Sequence, residues 1–436
     1  MGGRQIFTPG SEYKCAVCGL ETGTLSQFPS TADYTYYTVR CSDSGCIKVK
    51  HTFKREQQYF IRFFGDDDKR IAQFCVYAVN SDLAGRIPFI GDLHMHTNKS
   101  DGHETPEVVC ANYRKYGYDF MVISDHRRYY PSLDAIKAYA DVPVSLNIVC
   151  GEEVHLPRIE GKENVHIVNF GGEYSVNALC DGPQWEEVGN GKEYRSLNGE
   201  CPDTMTNEEY EAKIREIASE LHAPDYIDAI PAAMCKFAFD EIRKANGLAI
   251  FPHPTWISDM YHSSEPFTAY LTENKMFDAF EVLGGENYYE HNGFQTQKYY
   301  EDRAKGLKYP IVGSTDSHSS YDSNRNAFIC ATMVFAPKND RVELINSIKD
   351  YYSVAIDTIS AEWRLVGEAR LVRYACFLLK NYFPIHDEIA FEEGRLMKEY
   401  VTGTDEEKAD AAKALDFISD RQAKLQKKYF DFDILQ

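Results

Sequence analysis

The chain has 436 residues, 43% of them hydrophobic, and carries a formal net charge of −20 at pH 7. This length exceeds one ordinary domain and predicts two or three domains, or one barrel with attachments. The acidic balance argues against long nucleic acids and against basic membrane-binding surfaces, because both need clustered positive charge. The chain starts without the apolar segment of a secretion signal and holds no apolar run of membrane-spanning length, so we expect a cytoplasmic protein.

Residues 1–86 are the first predicted module. Alternating patterns at 35–39, 58–64 and 72–79 predict strands of a small β-rich, sandwich-like unit. Four cysteines lie in this module as two close pairs, Cys15 with Cys18 and Cys41 with Cys46. Two interpretations stay open for them: a structural zinc site that stabilises a module with a small core, or free thiols on a β surface.

The next predicted domain, 87–337, alternates short apolar runs with helical patterns. Such alternation predicts an α/β fold with a parallel sheet, whose catalytic groups lie at the carboxyl ends of the strands. The predicted strands are 89–90, 120–123, 146–150, 165–170, 248–251, 280–283, 311–313 and 332–335. A helical insertion at about 172–245 is expected to be a lid or a peripheral elaboration. Residues 338–436 are predicted to be a helical extension that packs on the barrel or joins two chains in a homo-oligomer.

A histidine pair follows the first strand of this domain. Because side chains at i and i+2 of a strand point to the same side, His94 and His96 can converge on one metal ion. The loop at 98–100 can bring Asp101 back to them. Neutral imidazole and carboxylate are ligands that zinc, manganese and iron accept.

Further His and carboxylate side chains stand at or near the ends of later predicted strands. They are His126, Glu152, Glu153, His166, His253, Asp316 and His318. A lone histidine at such a position is more often structural than a ligand. A whole series at successive strand ends is hard to explain by independent structural needs, and it predicts a metal centre of more than one ion.

The series resembles the PHP family, the polymerase and histidinol phosphatase metal-dependent hydrolases. The resemblance covers about 88–337 and rests on six motifs: DLHMHTNKSDG at 92–102, SDH at 124–126, GEE at 151–153, HIVN at 166–169, HP at 253–254 and STDSH at 314–318. It implies a distorted, TIM-like (βα)7 barrel that holds two or three divalent ions. The implied ligands are His94, His96, Asp101, His126, Glu153, His166, His253, Asp316 and His318. Glu153 is chosen over Glu152 from the family's G-x-E pattern.

The leading functional hypothesis is a phosphoesterase that hydrolyses a small phosphorylated substrate, a monoester or a nucleotide-type diester, by metal-bound hydroxide. Glu153, Asp316 and His318 are its expected catalytic residues at the metal centre. Arg127 and Arg128 are candidate phosphate contacts, because a guanidinium fork suits phosphate, although either could equally be a surface arginine. The metal could be zinc, manganese or iron, since His and carboxylate ligands accept all three.

Three further residues are weaker candidates. Arg325 is a second-rank phosphate contact, and His262 and His291 are treated as ordinary polar residues, either of which could protonate a leaving group. Two alternative functions also stay open. One is an amidohydrolase-like enzyme that cleaves C–N bonds, and the other is a non-catalytic, metal-stabilised scaffold for a protein partner.

Overall fold

The structure is a computed structural model that describes residues 6–21, 34–180, 191–257, 259–284, 289–321, 329–358 and 363–430. The chain divides into two compact units. The first is Met1–Gly85 with Arg373–Asn381, and the second is Arg86–Val372 with Tyr382–Gln436. Every helix in the described ranges is too short or too polar to cross a lipid bilayer. The predicted boundaries at 86/87 and 337/338 stay a prediction.

The first unit holds one antiparallel sheet. Its strands are β1 (Glu12–Gly19), β2 (Thr35–Arg40), β3 (Gln57–Phe64) and β4 (Arg70–Ala78), in the order β2-β1-β3-β4. Where a sandwich was expected, aromatic side chains of a helical segment pack on this sheet, with the ring of Tyr77 4.9 Å from that of Tyr374 and 5.5 Å from that of Phe377. A helix therefore supplies contacts that a second sheet would make in a sandwich.

The possible four-cysteine zinc site, one of the two open interpretations, is not formed in the described part of this unit. Cys15 and Cys18 are three positions apart on β1, so the two-residue period of a strand sends their side chains to opposite faces. Cys46 is exposed, and none of the ligand-spaced groups among the described residues contains a cysteine. Burial raises the pKa of the Cys15 thiol to about 11. The four cysteines are free thiols, but Cys15, Cys18 and Cys41 are buried, so only Cys46 fits the predicted position on a β surface.

The second unit contains two further sheets. Its strands are β5 (Ile87–Asp92), β6 (Phe120–Val122), β7 (Asn147–Val149), β8 (Gly151–Glu153), β9 (Val168–Phe170), β10 (Leu248–Phe251), β11 (Ala279–Leu283), β12 (Ile311–Gly313), β13 (Cys330–Ala336), β14 (Ser353–Asp357) and β15 (Arg364–Val366). One sheet has the order β15-β14-β13-β5-β6-β7 and the other β12-β11-β10-β9-β8. Parallel pairs β5–β6, β6–β7, β10–β11 and β11–β12 coexist with antiparallel ones, so the predicted α/β class is confirmed.

The predicted closed barrel is not seen among the described strands. The chain passes from the first sheet to the second at Cys150, between β7 and β8. Near β12 and β13, side-chain hydroxyls take the place of a ladder: Thr332 Oγ1 accepts from Gly313 N at 2.8 Å and donates to Gly313 O at 2.7 Å. Ser353 Oγ likewise donates to Ile311 O at 2.8 Å. Because these bonds use backbone groups that a ladder would need, the sheets stay open there.

The described part of the chain also contains helices, most of them in the second unit. They are α1 (Pro106–Lys115), α2 (Tyr130–Ala138), α3 (Asn207–Glu220), α4 (Ala229–Lys244), α5 (Glu265–Glu273), α6 (Tyr289–Ala304), α7 (Arg341–Lys349), α8 (Ala369–Asn381), α9 (Phe383–Thr402), α10 (Asp405–Ile418) and α11 (Arg421–Phe430). The predicted insertion contains α3, which begins with a capping box between Thr206 and Glu209, and α4. Helix α9 crosses α1 closely at Gly394, where an added Cβ would lie 2.2 Å from Lys115 N.

The core between the sheets is built by apolar side chains from both of them. It includes Phe120, Val168, Ile250, Val312 and Val334, all nearly or fully buried. The candidate site lies beyond this apolar core, at the strand ends.

Candidate metal centre

The candidate site is built at one edge of the two sheets. His94 and His96 follow β5, His126 follows β6, and Glu153 ends β8. His166 stands before β9 and not after it. Because β9 runs antiparallel to β10, its beginning lies at the edge where β10 ends. The strand-end rule for parallel sheets thus still places these side chains together.

The structure brings all nine predicted ligands together, with one addition. Overlapping groups, each with ligand atoms within 4.8 Å of one another, contain the nine and also His155. We call this set the histidine cluster: His94, His96, Asp101, His126, Glu153, His155, His166, His253, Asp316 and His318.

Glu153 lies at the centre of the histidine cluster. Its Oε2 is 2.8 Å from His126 Nδ1 and 3.5 Å from the Nε2 atoms of both His94 and His96. Its Oε1 is 2.6 Å from His166 Nδ1. One carboxylate thus faces several of the groups that could hold an ion, as a bridging ligand would.

The neighbouring Glu152 faces the other way. Its carboxylate accepts from Ser175 Oγ at 2.6 Å, from Val176 N at 2.5 Å and from Asn177 Nδ2 at 3.0 Å. These bonds hold the first turn of the insertion against β8. The alternation of side chains along the strand explains why two adjacent glutamates differ in this way.

Two aspartates complete the carboxylate set. Asp316 Oδ1 is 2.9 Å from His96 Nε2 and 3.3 Å from His94 Nε2, and its Oδ2 is 3.8 Å from His253 Nε2. Asp101 Oδ2 lies 3.3 Å from both His126 Nε2 and His318 Nε2. The cluster is therefore continuous from the buried His94 to the more exposed side at Asp101.

Many polar atoms of this cluster have no hydrogen bond to any described residue. They are His94 Nε2, His96 Nδ1, His166 Nδ1, both ring nitrogens of His253 and both carboxylate oxygens of Glu153, and all of them are buried. Buried polar atoms are normally hydrogen-bonded. The large number of buried atoms without a hydrogen bond at this one place therefore indicates a missing ligand. Imidazole and carboxylate donors converging on one point fit divalent transition-metal ions.

The pKa shifts leave the acidic members as carboxylates. Burial alone raises the pKa of Glu153, but the neighbouring histidines outweigh it and hold that pKa well below the usual range. The pKa of Asp316 is lowered in the same way, against burial, by His94 and His96. Burial lowers the pKa of His253 to about 3, so its imidazole is neutral. Deprotonated carboxylates and neutral imidazoles are the forms that bind metals.

His94 behaves differently because of its neighbours. Burial lowers its pKa, but Asp316 and Glu153 together raise that pKa well above the usual value. Without an ion, the proton on His94 offsets the two carboxylates. A metal cation at the same place competes with that proton, so binding and proton release are linked.

Three residues at this edge have a left-handed backbone. His253 has φ 24°, Asp316 has φ 50°, and Arg127, next to His126, has φ 60°. Left-handed backbone is uncommon for residues other than glycine and is found preferentially at functional sites, where it aims a side chain.

Several residues that hold the cluster carry no metal-ligand signal in the sequence. Glu281, inside β11, has Oε2 3.2 Å from His94 Nδ1 and Oε1 accepting from His253 N at 3.2 Å. By bonding the far nitrogen of His94 it turns Nε2 toward Glu153 and Asp316. A lone carboxylate within an apolar strand was the signal that could have revealed it.

Two motif aspartates also serve as supports. Asp92 accepts from Thr315 Oγ1 at 2.5 Å and from His94 N at 3.2 Å, and Asp125 accepts from Thr97 Oγ1 at 2.6 Å. They fasten the loops that carry the ligands.

Two histidines were not predicted as part of the site: His155, which belongs to the histidine cluster, and His262, which lies beside it. His155 follows Glu153 by two positions, and its Nε2 is 2.8 Å from His126 Nδ1. The two-residue period of the strand could have identified it. His262 accepts from the backbone N–H of His166 at 2.7 Å, and its ring centroid lies 4.1 Å from that of His166.

The candidate phosphate contacts and the candidate proton donor His291 differ in their exposure and partners. Arg127 is exposed, and the Arg128 guanidinium donates to Tyr130 Oη at 3.2 Å. Arg325 lies outside the described residues. His291 is buried and receives a bond from Thr255 Oγ1 on its backbone carbonyl, 3.3 Å away.

No family model and no curated protein matches the chain. Several solved structures are similar to the chain, and three of them are given below. A two-domain protein from Bacteroides vulgatus containing a predicted PHP-like metal-dependent phosphoesterase is 17% identical, with 66% of this chain and 69% of that chain covered and a TM-score of 0.40. A protein from Bifidobacterium adolescentis, assigned as a metal-dependent phosphoesterase, is 19% identical, with 54% and 90% covered and a TM-score of 0.34.

The third is an amidohydrolase from Chromobacterium violaceum with bound sulfate and no metal. It is 17% identical, with 52% of this chain and 87% of that chain covered and a TM-score of 0.32. Two of the three descriptions name metal-dependent phosphoesterases, one of them as PHP-like, the family that the motifs resemble. At these identities and TM-scores the similarity by itself carries no function to this chain.

Proposed function

We propose that the chain is a metal-dependent phosphoesterase that hydrolyses a small phosphorylated substrate. The observation that carries the proposal is the histidine cluster itself, in which buried ring nitrogens and both oxygens of Glu153 lack hydrogen bonds to described residues. A protein that leaves so many polar atoms unpaired loses stability unless a ligand pairs them.

The overlapping groups suggest which residues would hold two or three ions. One group is His96, Asp101, His126 and His318, a second is His94, His253 and Asp316, and a third is Glu153, His166 and His253. Divalent ions bound there would polarise a phosphoryl oxygen and lower the pKa of a coordinated water. Zinc, manganese and iron all remain candidates on ligand chemistry.

The chain's own residues would set the geometry and the charge. Glu153 would link neighbouring ions, and Asp316 would hold the ion beside His94 and His253. Because the histidines contribute no negative charge, three carboxylates leave a cationic centre that can attract an anionic phosphate to a chain of net charge −20.

The direction of substrate approach follows from exposure. His94 and Glu153 side chains are 0% and 1% exposed, whereas those of His318 and Asp101 are 37% and 52% exposed. A substrate would therefore reach the cluster from the Asp101 side. Arg127, exposed and directly after His126, is the phosphate contact we favour there, with Arg128 second because Tyr130 already binds its guanidinium.

The test compares a phosphomonoester with a matched phosphodiester, using protein that has been stripped of metal and reloaded with manganese. Asp316→Asn serves as the blank, because Asn tolerates the left-handed backbone at φ 50° while removing the charge. Asp203→Ala, with a side chain that is 96% exposed, is the control and should keep full activity.

We expect turnover of at least one ester, lost in Asp316→Asn. Monoester turnover alone would define a phosphatase, and diester turnover would point to cyclic or short nucleotides. Metal binding without turnover of either ester would contradict the proposal and favour C–N hydrolysis or the scaffold alternative.

A further inference from the structure

His155 lies against the predicted ligands, although no motif marks it. Its Nε2 is 2.8 Å from His126 Nδ1 and 3.7 Å from Glu153 Oε2. Its backbone N–H donates to Asn177 Oδ1 at 3.0 Å, and the Asn177 amide donates to the Glu153 carbonyl at 3.3 Å. The insertion thus fixes the backbone of His155 relative to Glu153.

The two ring nitrogens of His126 face different neighbours. Nε2 is 3.3 Å from Asp101 Oδ2, and the ring stacks on that of His96 with centroids 4.4 Å apart. Nδ1 is 2.8 Å from both His155 Nε2 and Glu153 Oε2, but only the contact with His155 has hydrogen-bond geometry. Glu153 Oε2 has no hydrogen bond to any described residue.

A neutral imidazole carries one N–H, and the partner of that N–H decides which nitrogen is left to bind a metal. If Glu153 accepted the proton of His126, one oxygen of Glu153 would no longer be available to bind a metal ion. If His155 accepts it, His126 Nε2 and both oxygens of Glu153 remain available.

We infer that His155 is a positioning residue of the proposed metal centre. It accepts the Nδ1–H of His126 and so directs Nε2 toward the ion held with His96, Asp101 and His318. The inference rests on the metal centre of the proposed function, but not on which bond that centre hydrolyses. Partners of this kind typically change metal affinity by about 10- to 100-fold.

The test is metal binding by the full chain. His155→Gln keeps an acceptor oxygen within reach of His126, whereas His155→Phe fills the space without an acceptor. Bound manganese is measured by elemental analysis across a series of buffered free-manganese concentrations, and thermal unfolding of the metal-free proteins checks folding. We expect His155→Phe to weaken one ion by about 10- to 100-fold and His155→Gln to bind as the wild type does.

His103→Phe is the matched control, because His103 is an exposed histidine outside every ligand group among the described residues. Equal loss of one ion in both His155 variants would overturn the inference by making His155 a ligand itself, and wild-type binding in both would overturn it by leaving His155 without a role. Wild-type manganese binding without ester turnover would remove the proposed function alone. Absence of metal binding by the wild type would remove both.

Discussion

Two buried polar clusters of the second unit differ in how completely their atoms are hydrogen-bonded. The histidine cluster leaves ring nitrogens and carboxylate oxygens without hydrogen bonds among the described residues. The second cluster, which we call the Arg114 cluster, consists of Arg114, Asp119, His386, Glu393 and Gln422. None of its side-chain atoms is a buried orphan in the described structure.

The Arg114 cluster is completed by protein atoms alone. Arg114 donates to Glu393 Oε2 at 2.9 Å, Gln422 Oε1 at 2.7 Å and Asp119 Oδ1 at 3.2 Å, and Asp119 Oδ1 also receives bonds from His386 and Gln422. Charges buried this fully need such pairing to be tolerated. The cluster joins α1 to α9 and α11, so its role is structural. The contrast teaches that burial and charge alone do not mark a binding site; missing partners do.

The largest expected effect is on metal content and turnover, and it comes from a change in the histidine cluster. We predict that Glu153→Gln loses at least one bound ion and lowers turnover by about 10³-fold, since metal stabilisation of the transition state is worth several kcal/mol. The adjacent Glu152→Gln is the matched control, because Glu152 accepts bonds from the insertion and from Asn169 on β9, none of which is a predicted ligand. It should keep metal content and activity while lowering the denaturation midpoint. Bound metal and turnover are measured for both variants. Equal metal loss in both would contradict the assignment of Glu153, and not Glu152, to the metal centre.

The next largest effect is on stability, and it comes from a change in the Arg114 cluster. We predict that Arg114→Met lowers the free energy of unfolding by about 3–5 kcal/mol, because Glu393 then loses the arginine that pairs with it and Asp119 keeps only His386 as a cation. Bound metal per folded molecule should not change. Urea denaturation of the metal-free protein measures the loss.

The double variant Arg114→Met with Asp119→Asn sharpens this test. Removing both partners of a buried pair costs less than removing one, so part of the lost stability should return. Loss of metal binding in the folded Arg114→Met protein would show that the two clusters are not independent.

The histidine cluster was largely predictable from the sequence, whereas the Arg114 cluster was not. His94, His96, Glu153 and Asp316 follow or end strands, and strand ends meet at one edge whatever the loops do. Arg114 and Glu393 are 279 positions apart, and neither belongs to a motif. No local pattern encodes a pairing at that separation, since it depends on how α9 docks on α1.

Where the sequence patterns and the structure differ, the physical causes are local. Barrel closure could not be judged from apolar runs, because hydroxyls such as Thr332 Oγ1 decide whether two neighbouring strands form a ladder. The cysteine spacing suggested zinc, but the β1 strand at 12–19 sends Cys15 and Cys18 to opposite faces. His155 was missed because motif matching stopped at Glu153.

The smallest expected effect is the pH dependence of the Arg114 cluster. Burial alone lowers the pKa of His386, but Asp119 outweighs it and raises that pKa to about 9. Since this is above the ordinary value of about 6.5, the stabilisation is complete below pH 6.5 and is lost as pH rises through about 9. A neutral His386 can still donate from Nε2 to Asp119, 2.8 Å away, but it cannot also donate from Nδ1 to Asp387, 2.9 Å away.

We therefore expect the stability difference between the wild type and His386→Gln to shrink between pH 7 and pH 10, by about 1–3 kcal/mol, because one pKa unit corresponds to about 1.4 kcal/mol. Urea denaturation of both metal-free proteins at each pH measures this difference, and titrations in the histidine cluster cancel because both proteins share them. A difference that stays constant with pH would mean that His386 is neutral in the folded chain. The Arg114 cluster would then be held by Arg114 alone, with His386 as an uncharged donor.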